Sequence, residues 1–176
     1  MSGAADDAEG RRDLRHVSQP ARVRAATPAD LDVVVELRLA LLREHAGNPV
    51  YGRLREDAPK RARRLFGAQL ASTGEVTLLA ERDGRIVGIA RCIESTGSPL
   101  LDPPHYGYVS SVYVVPAARR SGVMRALLAA GEAWCSARGL GELRLHSAAD
   151  HAESNAAWDA LDFTIVEHLR VRPISR

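Results

Sequence analysis

A chain of 176 residues has the size of one ordinary domain and can bury a core without metal or disulfide staples. With 45% hydrophobic and 26% charged residues, it has the composition of a globular protein and neither that of a disordered nor of a membrane-spanning one. Its 24 basic and 22 acidic residues leave a net charge of +2 with no long single-sign block, which argues against a nucleic-acid partner and offers no membrane anchor.

Residues 1 to 20 mix Asp6, Asp7, Glu9 and Asp13 with arginines and lack an apolar run. That pattern predicts a disordered tail without a secretory or transit signal, hence a cytoplasmic protein with its folded domain at 21–176. Arg22 to Ala26 reads as a short strand. Thr27-Pro28 then opens a helix, with the threonine as N-cap and the proline at the first helical position. Leu31, Val34, Val35, Leu41 and Leu42 keep helical spacing as far as His45, where Gly47-Asn48-Pro49 stops it.

A second helix begins near Asp57 and Pro59, with Ala62, Leu65, Phe66, Gln69 and Leu70 on one face, and closes at Ser72-Thr73-Gly74. Arg61, Arg63 and Arg64 form the densest basic cluster, and their spacing reads as a solvated face of this helix. Val76 to Ala80 and Ile86 to Glu94 are strand-like runs around Asp83-Gly84, a strong signal for an antiparallel hairpin.

A loop over residues 95 to 105 leads to a strand from Tyr106 to Val115, ended by Pro116. From Gly122 to Arg138, Val123, Leu127, Ala130 and Trp134 mark the best-defined amphipathic helix, which stops at Gly139. Leu143 and Leu145 belong to another strand. Asp150-x-x-Glu153 has capping-box spacing before a short helix through Leu161, and Thr164 to Val171 is the final expected strand. This order of elements predicts an α/β (α+β) architecture, a mixed and mostly antiparallel twisted sheet flanked by helices.

Cys92 and Cys135 stand apart from any metal-ligand spacing and read as core residues, so no metal site is expected. The joint from Val112 through Pro116 to Gly122 has a different character. There a strand ends and a long helix starts at a glycine, leaving first-turn N–H groups without internal partners and partial positive charge at their end. Arg119 and Arg120 add cationic donors, Ser121 a hydroxyl, and Gly122 close backbone approach. The pattern suits a phosphate, although arginine and glycine at such turns also occur without one.

Arg119-Arg120-Ser121-Gly122-Val123-Met124, after Val114-Val115-Pro116 and before Leu127-Leu128, resembles the acetyl-CoA loop of the GNAT N-acetyltransferase superfamily. Met124 replaces that loop's last small residue, and Asp162 stands for the glycine of the family's late Gly-Phe, with Phe163 in place. The resemblance runs from about Val23 to Arg172. It implies a GNAT-like acyl-CoA N-acyltransferase fold in which Tyr106 to Val115 splays from Glu142 to Ser147, so that the backbone of Val112, Tyr113 and Val114 holds the pantetheine arm. Arg119 to Met124 would hold the pyrophosphate.

It further implies direct transfer of an acetyl group from acetyl-CoA to a primary amine of a small molecule or peptide, with a homodimer as a possible assembly. The family's usual base, a Glu on the fourth strand, is replaced by Ser110 and Ser111, leaving Glu94 and His105 as candidates. Its usual acid, a Tyr, falls on Trp158, whose indole cannot donate a proton near neutral pH; Tyr108 and Tyr113 are the alternatives. The family also carries an Asn near the start of this helix; ungapped counting from Phe163 places His151 there, while Asn155 lies one turn later and is taken as the residue that contacts the cofactor or assists the chemistry. With the usual base and acid displaced, the same fold could also hold acyl-CoA as a sensor without turnover.

Overall fold

The computed structural model describes residues 20–174, so the expected tail over residues 1–20 lies, but for its last residue, outside the described residues. Five strands form one sheet in sequential order: β1 (Arg22–Ala25), β2 (Glu75–Arg82), β3 (Arg85–Thr96), β4 (His105–Val114) and β5 (Leu143–Leu145). The first four pair antiparallel, whereas β5 joins β4 in parallel. Helices α1 (Leu31–Glu44), α2 (Ala58–Leu70), α3 (Val123–Ser136) and α4 (Ala152–Asp159) complete the mixed α/β architecture.

Local chemistry accounts for the joints. Asp83 and Gly84 both adopt positive φ, 50° and 71°, the backbone that a two-residue hairpin needs to match strand twist. Before α1, a 3-10 turn spans Pro28–Asp30, and the Asp30 carboxylate accepts from Thr27 N at 2.7 Å and from Thr27 Oγ1 at 2.9 Å. Arg24 donates to the same carboxylate from both terminal nitrogens, at 2.8 and 2.7 Å. These charge-assisted bonds hold the Asp30 carboxyl well below the usual carboxylate range.

Both sheet faces are covered. On one, α3 lays Val123, Leu127, Leu128 and Cys135 over Leu78, Ala80, Ala90, Cys92 and Val109. On the other, α1 and α2 bring Val34, Leu37 and Phe66 onto Leu79 and Ile89. Strand alternation explains how Leu78 and Leu79 serve opposite cores. The α3 layer sits close: a Cβ at Gly131 would lie 2.6 Å from Cys92 Sγ.

Two expected features differ. Thr164 to Val171 forms no strand, and Ile165, Val166, Leu169 and Val171 are exposed. Apolar alternation measures fitness for a pleated, half-buried surface; it forms a strand only where a neighbouring strand completes the ladder. Nor do Asp150 and Glu153 form a capping box. His151 is the N-cap of α4, its Nδ1 accepting from Ser154 N at 3.2 Å, so an imidazole meets the need that the pattern assigned to a carboxylate.

Candidate active site

The site grows from an irregularity in β4. Ser111 has φ 60°, and the β3–β4 register slips between Ile89 and Arg91. One extra residue reverses the alternation. Val109 faces the α3 core, yet beyond the bulge Tyr113 packs with α1 and α2, while Val112 and Val114 turn toward α3. Beside the bulge the sheet opens, because β5 pairs with β4 only from Gly107↔Leu143 to Val109↔Leu145. From Ser110 to Val114, β4 runs on without a ladder partner on that side among the described residues.

The N-terminus of α3 lies just after this open edge. Arg120 and Gly122 take left-handed backbone conformations, φ 57° and 82°, which wrap the loop into the first helical turn. Among the described residues no side chain caps that turn, and a Cβ on Gly122 would meet none of their atoms within 4 Å. The early α3 amides therefore remain available to an anion, reinforced by the helix dipole. Val123 is buried below them and Met124 packs against the same core.

Neighbouring side chains divide into braces and free groups. Arg119, expected on phosphate, is committed elsewhere: Nε donates to Val114 O at 3.0 Å, and Nη2 lies 2.6 and 2.8 Å from the two Glu44 oxygens. Its guanidinium also sits 5.7 Å from the Tyr113 ring centroid. Ser121 Oγ donates to Ala118 O at 2.5 Å and accepts from Arg82 Nη1 at 2.9 Å. Arg120 is an exposed cation whose ion-pair approach among the described residues is a long 3.7 Å to Glu153.

The expected catalytic residues do not converge. Asn155 lines the groove between the sheet and α4, where Nδ2 donates to Ala148 O at 3.0 Å and ties down the loop after β5. Glu94 is exposed near the far end of β3, paired in register with Gly107. By strand alternation it shares the face of Cys92 and lies opposite Arg91. His105 opens β4, its Nδ1 3.4 Å from Thr96 Oγ1. Trp158 is buried edge-on against Phe163, whose amide donates to Trp158 O at 3.1 Å. Asp162 takes φ 63°, which explains why a glycine fits that position.

Sequence reasoning missed several contacts that only folding makes, including the partner of Tyr108, which it names by itself as an alternative acid. Arg82, at the hairpin, reaches the loop before α3 across thirty-nine positions. Tyr108 Oη and His146 Nδ1 lie 2.8 Å apart in the groove, with burial first, then the phenols Tyr51 and Tyr106, pushing the Tyr108 hydroxyl up. On the α1/α2 side, Arg38 stacks over Phe66 at 5.7 Å, and its buried Nε has no hydrogen-bond partner among the described residues. No local motif marks any of these.

Burial pushes the Cys92 thiol up to about 12, and Cys135 is raised by the same cause, so neither supplies a thiolate nucleophile. Among the described residues, no cluster of three His, Cys, Asp or Glu side chains could hold a metal ion, and no helix is long and apolar enough to cross a membrane.

The family model described as "Acetyltransferase (GNAT) family" matches residues 38–163. The chain belongs to that family: it is an acetyltransferase, and acetyl-CoA is its acyl donor. Among its relatives is an aminoglycoside N(6')-acetyltransferase type 1 of Stenotrophomonas maltophilia, 31% identical over 153 residues that cover 84% of this chain and 88% of the relative. An aminoglycoside 6'-N-acetyltransferase from Acinetobacter haemolyticus shares the fold at TM-score 0.71 and 22% identity, with 88% of this chain and 99% of that chain covered. A predicted acetyltransferase from Clostridium acetobutylicum, solved with acetyl-CoA, superposes equally at TM-score 0.71 and 19% identity, covering 87% and 96%.

Proposed function

We propose that this enzyme passes the acetyl group of acetyl-CoA directly to a primary amine of a small molecule, and that a polyamine of the aminoglycoside kind is the first acceptor to try. The observation that carries the donor half is the uncapped N-terminus of α3 immediately beyond the point where β4 and β5 part. Pyrophosphate rests on the amides from Gly122 to Met124, with Arg120 as its cation. The pantetheine arm adds to the free edge of Val112, Tyr113 and Val114 as an extra strand does.

Along that edge the thioester carbonyl meets backbone N–H groups near the Ser111 bulge, which stabilise charge as the oxygen becomes anionic. Catalysis then rests on placing the two reactants and taking the ammonium proton, without a covalent intermediate. The raised thiol of Cys92 supports this direct route. The acceptor half draws support from the curated relative, whose name assigns it the 6'-amine of aminoglycosides.

Thiol release from acetyl-CoA, measured across an amine panel that includes neamine, tests the proposal. Turnover with a primary amine and a ternary rather than a ping-pong rate pattern is the expected outcome. Tight acetyl-CoA binding with no amine turned over would favour a protein that holds acyl-CoA instead.

A further inference from the structure

We propose that Tyr108 and His146 form the proton relay of this acetyltransferase, His146 Nε2 taking a proton from the acceptor ammonium and Tyr108 Oη protonating the departing thiolate. The inference rests on the amine-transfer reading above. Their position carries it: Val109↔Leu145 is the last β4–β5 pair, Tyr108 precedes it on β4, and His146 follows the end of β5. Both therefore stand at the fork of the two strands, with Tyr108 Oη 2.8 Å from His146 Nδ1 and the rings edge-on at 5.6 Å.

A thioester arriving along the free edge of β4 ends at this fork, and the broad groove on its other side is lined by Tyr108, His146, Tyr51 and Asn155. The alternatives fit less well. Glu94 lies on the opposite face by alternation, Cys92 is buried on the α3 side, and the Trp158 indole neither accepts nor gives a proton at neutral pH. Ser110 and Ser111, 3.3 Å apart at the bulge, are alcohols without an adjacent base.

The relay fixes the imidazole tautomer. Nδ1–H donates to Tyr108 Oη, which leaves Nε2 as the acceptor and the phenolic hydrogen free to point at sulfur. The ammonium gives one proton to Nε2, and the neutral nitrogen attacks the carbonyl. As the C–N bond forms and the C–S bond breaks, Tyr108 gives its proton to sulfur and receives the Nδ1 proton of the imidazolium. The second nitrogen proton leaves to water, and exposed His146 exchanges with solvent to restore its tautomer. Two protons leave nitrogen; one ends on sulfur and one in solvent.

Other charges bear on the pair. Arg91 from β3, Tyr51 from the segment between α1 and α2, and Tyr106 on β4 act on Tyr108. Arg144, Asp150, Glu167 and His168 line the same groove, with Asp150 bonded to Asn48 at 3.3 Å.

The test compares wild type, H146Q, Y108F and the double variant, using acetyl-CoA and the best amine of the panel. Each single variant is expected to lose about 100-fold in kcat, in the range of a general acid or base, with KM for acetyl-CoA little changed. The double variant should lose scarcely more than either single one, and the acid limb of the pH–rate profile should vanish in H146Q. Variants within about threefold of wild type, or an unchanged acid limb, would overturn the relay. Long-range 1H–15N spectra of the wild-type imidazoles provide a readout without turnover: an Nδ1–H form at His146 supports the relay and an Nε2–H form overturns it. Absence of turnover in the wild type counts against the amine-transfer reading, and the tautomer then decides the pair.

Discussion

Arg119 lays its guanidinium on Glu44, Nη2 lying 2.6 and 2.8 Å from the two carboxylate oxygens, and so fastens the loop before α3 to the last turn of α1. A residue whose place in the motif suggests phosphate contact thus holds the loop's shape. Its Nε bond to Val114 O ends β4 at the same clasp.

Breaking the clasp should separate its parts. Both side chains are 30% exposed, so Glu44→Gln is expected to cost only about 0.2–1 kcal/mol of stability. Arg119→Met also orphans the Val114 carbonyl and removes the cation over Tyr113, so about 1–3 kcal/mol is expected, together with a raised KM for acetyl-CoA. Urea denaturation and donor kinetics measure both. Equal costs for the two variants would show that the ion pair alone matters.

Arg120→Asp tests the anion site with little disturbance of the fold, because aspartate tolerates the left-handed backbone found there. Melting without ligand should stay within a degree or two of wild type. The stabilisation by acetyl-CoA, about 2.7 kcal/mol at a hundred times the dissociation constant for wild type, should shrink markedly at equal ligand concentration. Gly122→Glu should erase it, although φ 82° makes that variant strained as well. An undiminished ligand shift in Arg120→Asp would take this cation out of the site.

Gly131→Ala sets helix propensity against packing. An exposed glycine-to-alanine change in a helix gains roughly 1 kcal/mol, yet here the new Cβ would lie 2.6 Å from Cys92 Sγ. A net loss of about 1–3 kcal/mol is expected, with Cys92→Ala in the same chain recovering part of it as a coupling energy. Thermal melts of the two single variants and the double variant decide it. A more stable Gly131→Ala would mean that α3 can lift off the sheet at no cost.

Asp30 carries a pH dependence with a definite sign. Bonded by Arg24 and Thr27, it has a lower pKa folded than unfolded, so its contribution is complete above the unfolded carboxyl value of about 3.9 and fades as pH falls below it. Asp30→Asn should therefore melt below wild type at pH 7, and the difference should narrow between about pH 4 and pH 2. A gap independent of pH would mean that the carboxylate charge contributes nothing.

By itself, the sequence determined the order and kind of most elements, because their causes are local. Val123, Leu127 and Leu128 repeat at helical spacing, Asp83-Gly84 supplies the two positive φ angles of the hairpin, and Gly122 marks where α3 must begin. The loop proposed here for acetyl-CoA could be picked out for the same reason: the donors assigned to it are backbone amides, whose place follows from where a strand stops and a helix starts.

Only the tertiary structure decided which side chains serve that loop and which stand at the fork. Arg119 could be assigned to Glu44, and Arg82 to Ser121, only once α1 and the β2–β3 hairpin were folded against the loop. The Ser111 bulge reverses the faces of β4, so alternation counted from Tyr106 cannot tell where Tyr113 points. Tyr108 and His146, thirty-eight positions apart, meet because β5 returns parallel to β4 for three residues and then departs. Thr164 to Val171 shows the same limit from the other side: a strand needs a partner, and no pattern within one segment supplies it.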